Sequence, residues 1–327
     1  MNLSRRNFLT ASTALAGAML AGLASAQSSA PVRIVIGFAA GGAADFIARQ
    51  LASHLQLEGV SAVIVENRPG AGGRIAVEVV KAAPPDGRTL LLTPGSVLSI
   101  YPFVYSKLSY DPVRDLLPVT PLASVPYSVS VGPLVPSDVR TLKEFAQWCK
   151  THPNQASYGS PGSGTTPHFV GVMLGREIGV AYQHVPYRGG ALALQEVMAG
   201  QIASSVNVVS EVVPSAQAGK VRVLAVSSAK RLPQLPDVPT FEQSGFGQLT
   251  SQEWFGLFAP VRTPTTSIES LNQAARAVFA SAPVQRAMAD MAFGVESSKP
   301  EEFAALLQRD LGRWGPIVQS TGFKADE

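Results

Sequence analysis

Short continuous apolar runs alternate with helical stripes along the first third of the chain. Val32 to Phe38 is β-branched, uninterrupted and ended by glycines, which predicts a buried strand. Ile47, Leu51 and Leu55 then recur at helical spacing within Ala43 to Leu55. A second strand is expected over Val60 to Val65, a second helix over Ile75 to Ala82 and a third strand over Thr89 to Thr93. Continuous rather than alternating apolar strands, with a helix between each pair, predict a parallel sheet covered on both faces.

A second α/β series follows Pro133. Thr141-x-x-Glu144 is a capping box opening a helix over Leu142 to Lys150. Strands are expected over Gln155 to Tyr158, Tyr182 to Val185, Ile202 to Val206 and Val221 to Val226, with helices over Pro167 to Gly175 and Ala191 to Ala199. Ile268, Leu271, Ala275, Val278 and Phe279 form one later stripe, and Phe303, Leu306, Leu307, Leu311 and Trp314 another, the latter capped by Ser298-x-x-Glu301. These last helices lack a complete sheet of their own, so they are expected to return to the first unit. The expected division is lobe 1 over 27–133 and 236–327 with lobe 2, 134–235, inserted. The chain would then cross between lobes near Val125 to Val131 and near Trp254 to Pro260.

Residues 1–26 have a different character. Arg5-Arg6 precedes an apolar stretch from Phe8 to Leu23 and the small-residue site Ala24-Ser25-Ala26. This predicts a removable export signal of the twin-arginine type and a periplasmic mature chain beginning near Gln27. Beyond it, no run reaches about 18 apolar residues, the length a membrane helix needs. Only 15% of the 327 residues are charged, against about 25% in ordinary soluble domains, so a large core is expected. The net charge of +3 includes Arg5 and Arg6, and no basic run suggests nucleic-acid binding. Cys149 is the single cysteine, so an intrachain disulfide is excluded, and its place in an amphipathic helix favours a core role.

Candidate chemistry concentrates in two glycine-rich loops that each join a strand to a helix. The first is Gly37-Phe38-Ala39-Ala40-Gly41-Gly42-Ala43. Exposed amides at a helix start, with its partial positive charge, form an anion seat without any charged side chain. The second, Tyr158 to His168, adds the hydroxyls of Ser160, Ser163 and Thr165 around Gly164. Thr166 is its expected N-cap and Pro167 its first helical residue. His168 falls in the first turn, where the helix end is expected to keep it neutral and donating one hydrogen bond. Ligands of open α/β sheets bind beyond the carboxyl ends of the strands. Two such edges facing across a hinge would clamp a ligand with one or two carboxylates. Thr93 and Ser96 at the end of the third strand, Tyr187 after the strand ending at Val185, and Asn207 just past Val206 are further candidates. Asp45 is read as a helix-end carboxylate, Glu66 to Gly73 as a rigid turn and Arg188 as a surface charge.

The chain lacks the spacing for a dinucleotide loop, a phosphate loop or a nucleophile elbow. His54, His152, His168 and His184 do not pair at metal-ligand spacing. These absences point to a binding protein without cofactor or metal rather than an enzyme. A membrane-linked ligand sensor and a secreted hydrolase are the rival readings.

Several segments, in order, resemble the periplasmic receptors of tripartite tricarboxylate transporters, the Bug family. They are Gly37 to Arg49, Val65-Glu66-Asn67-Arg68-Pro69-Gly70-Ala71-Gly72-Gly73, Pro85-Asp86-Gly87, Tyr158 to His168 and His184-Val185-Pro186-Tyr187-Arg188-Gly189-Gly190. Gly219 to Val226, Pro236-Asp237-Val238-Pro239-Thr240 and Trp254 to Pro260 complete the set. The resemblance implies a two-lobe Venus-flytrap fold of the type II binding-protein class. It implies a carboxylate, amino acid or aromatic acid held between the two glycine loops, Phe38 to Ala43 and Ser160 to His168. It also implies a receptor serving membrane transporter subunits; a monomer is expected. Two departures stand out. Ala39-Ala40 replaces the family's usual proline-containing pair. Ala203 replaces a frequent aspartate, which favours a plain carboxylate over an amino acid.

Overall fold

A computed structural model describes residues 31–187 and 189–325. The expected export signal, residues 1–26, and Arg188 therefore lie outside the described residues. The first α/β series runs β1 (Val32–Ile36), α1 (Ala43–His54), β2 (Val63–Asn67), α2 (Arg74–Lys81) and β3 (Thr89–Pro94). Two short helices, α3 (Gly95–Ser99) and α4 (Tyr101–Val104), follow before the 16-residue strand β4 (Leu116–Val131). The second series is α5 (Leu142–Thr151), β5 (Ser157–Ser160), α6 (Thr166–Ile178), β6 (Gln183–Pro186), α7 (Gly190–Met198), β7 (Ser204–Val208), α8 (Val209–Gln217) and β8 (Arg222–Val226). The chain ends with β9 (Gln252–Pro260), α9 (Thr265–Ala280), α10 (Ala282–Asp290), β10 (Gly294–Val295) and α11 (Pro300–Thr321).

The first part of the sheet has the order β2-β1-β3-β9-β4, with β10 also beside β4. Pairing is parallel among β1, β2 and β3 and antiparallel where β9 meets β3 and β4. Alternate residues serve opposite faces, as the pleat requires. Ile34, Ile36, Leu90 and Leu92 join Ile47 and Leu51 of α1 and Ile268 and Leu271 of α9. Val35 and Leu91 face the other way, onto Val77 and Val80 of α2 and Phe303 and Leu307 of α11. Each fully buried side chain of this size contributes about 1.5–3 kcal/mol of transfer free energy. The two C-terminal stripes thus complete the layers of the first lobe.

The second part of the sheet has β4 between β7 and β8, both antiparallel to it, and then β5 and β6 in parallel beyond β7. Tyr127, Val129 and Val131 pack with Phe145, Trp148 and Cys149 of α5 and with Val170 and Leu174 of α6. Gly171 lets α6 lie against Tyr158, since a Cβ there would fall 2.1 Å from the ring. Burial pushes the Cys149 thiol up to about 12, in keeping with a core residue.

A single strand therefore serves both lobes. Leu116 to Pro126 of β4 pair with β9, whereas Tyr127 to Val131 pair with β7 and β8. Three details depart from expectation. β9, expected as the second crossing, lies wholly in the first-lobe sheet, so the return falls just before Gln252. Residues from 236 onward do not all join the first lobe: Phe241, Phe246 and Leu249 sit in the second-lobe core, and Thr240 bridges to Val226. The cap of α11 is shifted by one residue, the Lys299 amide donating to Glu302 Oε2 at 3.0 Å. Among the described residues no helix is long and apolar enough to cross a membrane.

Candidate functional site

In the first loop the amides are divided between the protein and the cleft. Gly41, with φ of 86°, turns its amide onto Asp45 Oδ2 at 3.0 Å. Asp45 also takes two bonds from Arg49 and one from Asn67 Nδ2. Burial alone would raise its pKa, but the Arg49, Gly41 and Asn67 donors hold the carboxyl below its ordinary value. The Gly41 amide is thus not available to a ligand, contrary to expectation, because Asp45 has already accepted it. The amides of Gly42, Ala43 and Ala44 open α1 without an internal acceptor, as the first turn of any helix must. Asn67 Nδ2 also donates to the Phe38 carbonyl at 3.1 Å, fastening the loop to the end of β2. Gly37 abuts the glycine turn behind it, where a Cβ would lie 2.4 Å from Gly73 Cα.

The second loop is likewise braced from within. Ser160 Oγ bonds His184 Nε2 at 2.7 Å, and Thr165 Oγ1 donates to the Gly162 carbonyl at 2.7 Å. The Gly164 amide donates to His168 Nδ1 at 3.1 Å, which leaves the ring proton on Nε2. His168 is neutral, as expected, but the cause is burial, which lowers it to about 4. Its ring stacks on His184 at 4.1 Å; burial lowers His184 to about 3, and a second imidazole so near disfavours a further positive charge. Thr165, not Thr166, is the N-cap, so Thr166 and Pro167 are the first two helical residues. The amides of Ser163, Thr165 and Thr166 have no acceptor among the described residues.

Tyr101 of α4 lies between the two loops. Its hydroxyl donates to the Gly72 carbonyl at 3.0 Å, beside the first loop. Its ring edge comes within 3.8 Å of where a Gly164 Cβ would stand, and Val104 Cγ1 within 3.1 Å. The lobes also touch where His168 meets Phe323 and where Arg176 Nη1 reaches Ser320 Oγ at 2.7 Å. Between them lies Glu253 of β9, 5% exposed. It accepts from the Ser96 amide at 2.7 Å and from the Tyr127 hydroxyl at 2.6 Å. Burial raises its carboxyl above the ordinary value, opposed by the Tyr127 hydroxyl and the Ser96 amide.

The remaining candidates are less exposed to the cleft than their positions suggest. Thr93 is buried opposite Gly256 of β9, and the Ser96 amide is held by Glu253. Tyr187 packs beside Gly159 and against the cluster of Leu194 and Ile202, its amide donating to the Ser160 carbonyl. Asn207 stands inside β7 rather than past it, fully buried, with Nδ2 donating to the Gly190 carbonyl at 2.8 Å. Tyr101, Tyr127, His184 and Glu253 were missed from sequence. Glu253 carries no motif, but the placement of His184 within a segment of the family pattern was a usable signal. A surface cavity of about 540 Å³, lined by Val32, Asp86, Gly87 and Thr266 among others, lies at the opposite, amino-terminal edge of β1. Ligands of such sheets bind at the carboxyl edge, so this cavity is not the cleft.

Two α/β units joined through one shared strand, each with a glycine-rich loop opening a helix at the carboxyl end of a strand, are the architecture of a solute-binding protein. Residues 47–323 match the family described as the tripartite tricarboxylate transporter family receptor, and the chain belongs to that family. The solved structure of periplasmic binding protein BugD is 30% identical with a TM-score of 0.81, covering 91% of this chain and 99% of that one. MatC from Rhodopseudomonas palustris, solved with bound malate, is 29% identical with a TM-score of 0.79, covering 88% and 99%. A further R. palustris protein, solved with adipate, is 28% identical with a TM-score of 0.82, covering 90% and 98%. The fold is accordingly that of the periplasmic binding proteins, and the family is one of receptors rather than enzymes.

Proposed function

We propose that this receptor captures a small carboxylate, a di- or tricarboxylate or an aromatic acid, in the periplasm and presents it to the membrane subunits of a tripartite tricarboxylate-type transporter. The observation that carries this reading is the pair of glycine-rich helix starts, α1 and α6, with Tyr101 touching Gly164 of the second loop and the Gly72 turn that backs the first. Amides at a helix start accept a carboxylate without a counter-ion, and neutral His168 and His184 add no charge. The malate and adipate held by the two related proteins are small carboxylates of this kind.

The mechanism follows from the shared strand. Rotation about Pro126 and Tyr127 moves α6 relative to α1, and a ligand that touches both lobes only in the closed form shifts the population toward closure. Moving a 1:99 equilibrium to 99:1 takes about 5.5 kcal/mol of differential affinity. Hydrogen bonds to a charged group contribute about 1.5–3 kcal/mol each, so three or four made on closure suffice. A thermal-shift screen against di- and tricarboxylates, amino acids and aromatic acids identifies the solute. Calorimetric titration of a Ser163→Ala, Thr165→Ala double variant with that solute is expected to show affinity weakened tenfold or more with the fold intact. Unchanged affinity would remove the second loop from the site.

A further inference from the structure

Helix α11 of the first lobe ends without a basic residue in its last turn. The last carbonyls of a helix carry partial negative charge and call for donors. Here the donor comes from the other lobe. Arg176 of α6 reaches Ser320 with both ends of its fork, Nη1 donating to Oγ and Nη2 to the carbonyl, each at 2.7 Å. Phe169, Met173 and Arg176 stand at helical spacing on one face of α6. Phe169 is fully buried, yet it joins the first-lobe cluster of Phe303, Trp314 and Val318 rather than the core of its own lobe. Its ring lies 6.2 Å from that of Trp314. Gly322, at φ of 67°, then turns the chain. Phe323 lands against the second lobe, its ring 4.6 Å from His168 and 6.0 Å from Phe169. The next two residues return to the first lobe: Lys324 Nζ donates to the Phe103 carbonyl at 2.9 Å and the Ala325 amide to that of Val104 at 3.1 Å.

Val170 and Leu174 fix α6 to the second-lobe core, and Phe303 and Leu307 fix α11 to the first. Rotation of one lobe against the other must therefore shift every contact between Ser320 to Phe323 and α6. Phe323 acts on the second glycine loop through His168, whose Nδ1 accepts the Gly164 amide. We propose that Ser320 to Phe323 form an interlobe strap. Phe323 is its positioning residue, holding the second loop against the first lobe, and Arg176 fastens its exposed edge. The strap rests on the reading above only in that the lobes move about β4, and it is independent of which solute is bound.

The test is small-angle scattering of the ligand-free protein, with acrylamide quenching of tryptophan beside it, since Trp314 meets Phe169 of the other lobe. Phe323→Ala removes two aromatic contacts and is expected to raise the open-to-closed ratio about tenfold, read as a larger radius of gyration and stronger quenching. Arg176→Gln removes a pair of exposed bonds and is expected to raise the ratio about threefold in the same direction. Phe323→Tyr keeps the ring and is expected to stay near the wild type. Circular dichroism reports folding of all three, and if Phe323→Ala does not fold, Arg176→Gln decides alone. Scattering and quenching of the folded variants that superimpose on those of the wild type would overturn the strap, whatever the ligand screen finds. A lower melting temperature with unchanged scattering overturns it equally, because a contact that serves stability alone gives that result.

Discussion

His168 and His184 show how far burial moves a side chain from its ordinary chemistry. Both rings titrate near 6.5 in an unfolded chain, against about 4 and about 3 in the folded one. The folded protein therefore binds fewer protons than the unfolded protein across that window. Stability rises with pH there, and it is lost as pH falls from 6.5 toward 4. Glu253 and Glu211, raised by burial, act with the opposite sign just above the ordinary carboxylate range. Comparing urea unfolding of the wild type and His168→Gln at pH 7 and pH 4.5 isolates the histidine. The wild type is expected to lose up to about 3 kcal/mol more than the variant, the ceiling set by a shift of this size. Equal losses would show that His168 is not held neutral by the fold. None of this is visible in the sequence, where a first-turn histidine reads as a helix-dipole effect.

At the scale of elements, local signals proved strongest where a side chain closes a bond within its own helix. Thr141 and Glu144 form the capping box that their spacing implies: Glu144 Oε2 accepts the Thr141 amide at 2.9 Å, and Thr141 Oγ1 accepts the Glu144 amide at 3.2 Å. Thr141→Ala is expected to cost about 1 kcal/mol in chemical denaturation without changing solute affinity, since the capping bonds it removes lie within residues 140–144. Strand β4 is the opposite case. Proline lacks the N–H a ladder needs, yet the strand runs through Pro118, Pro121 and Pro126, with bulges at 118–120 and 121–123. Pairing with β9 on one stretch and with β7 and β8 on the next supplies what local propensity denies it. The segment after Pro236 has the same character, since its lobe is decided by Phe241 and Phe246 finding Phe145 and Trp148.

For the whole molecule, closure is limited by how near the lobes can come. Gly164 is held at φ of 77° with Val104 of the other lobe against it. Gly164→Ala is expected both to strain the loop, at about 1 kcal/mol or more, and to press Val104 away, weakening solute binding through faster release. Stopped-flow dissociation separates this from simple destabilisation, and an unchanged release rate would show that the loops do not meet in the bound state. A receptor built this way carries its first crossing between lobes within one long strand, so that crossing needs no flexible linker.

The amino-acid order by itself determined the alternation of strands and helices, the two glycine loops and the family pattern, because each depends on residues close together in the chain. Periodicity, turn chemistry and helix starts are local properties. Asp45 and His168 take the Gly41 and Gly164 amides from only four residues along the chain, but only the tertiary structure decided that the Ser96 amide goes to Glu253, 157 positions away. Whether a donor faces a ligand or a neighbouring side chain depends on which distant segments pack beside it, and that follows from the burial of the whole core rather than from any motif.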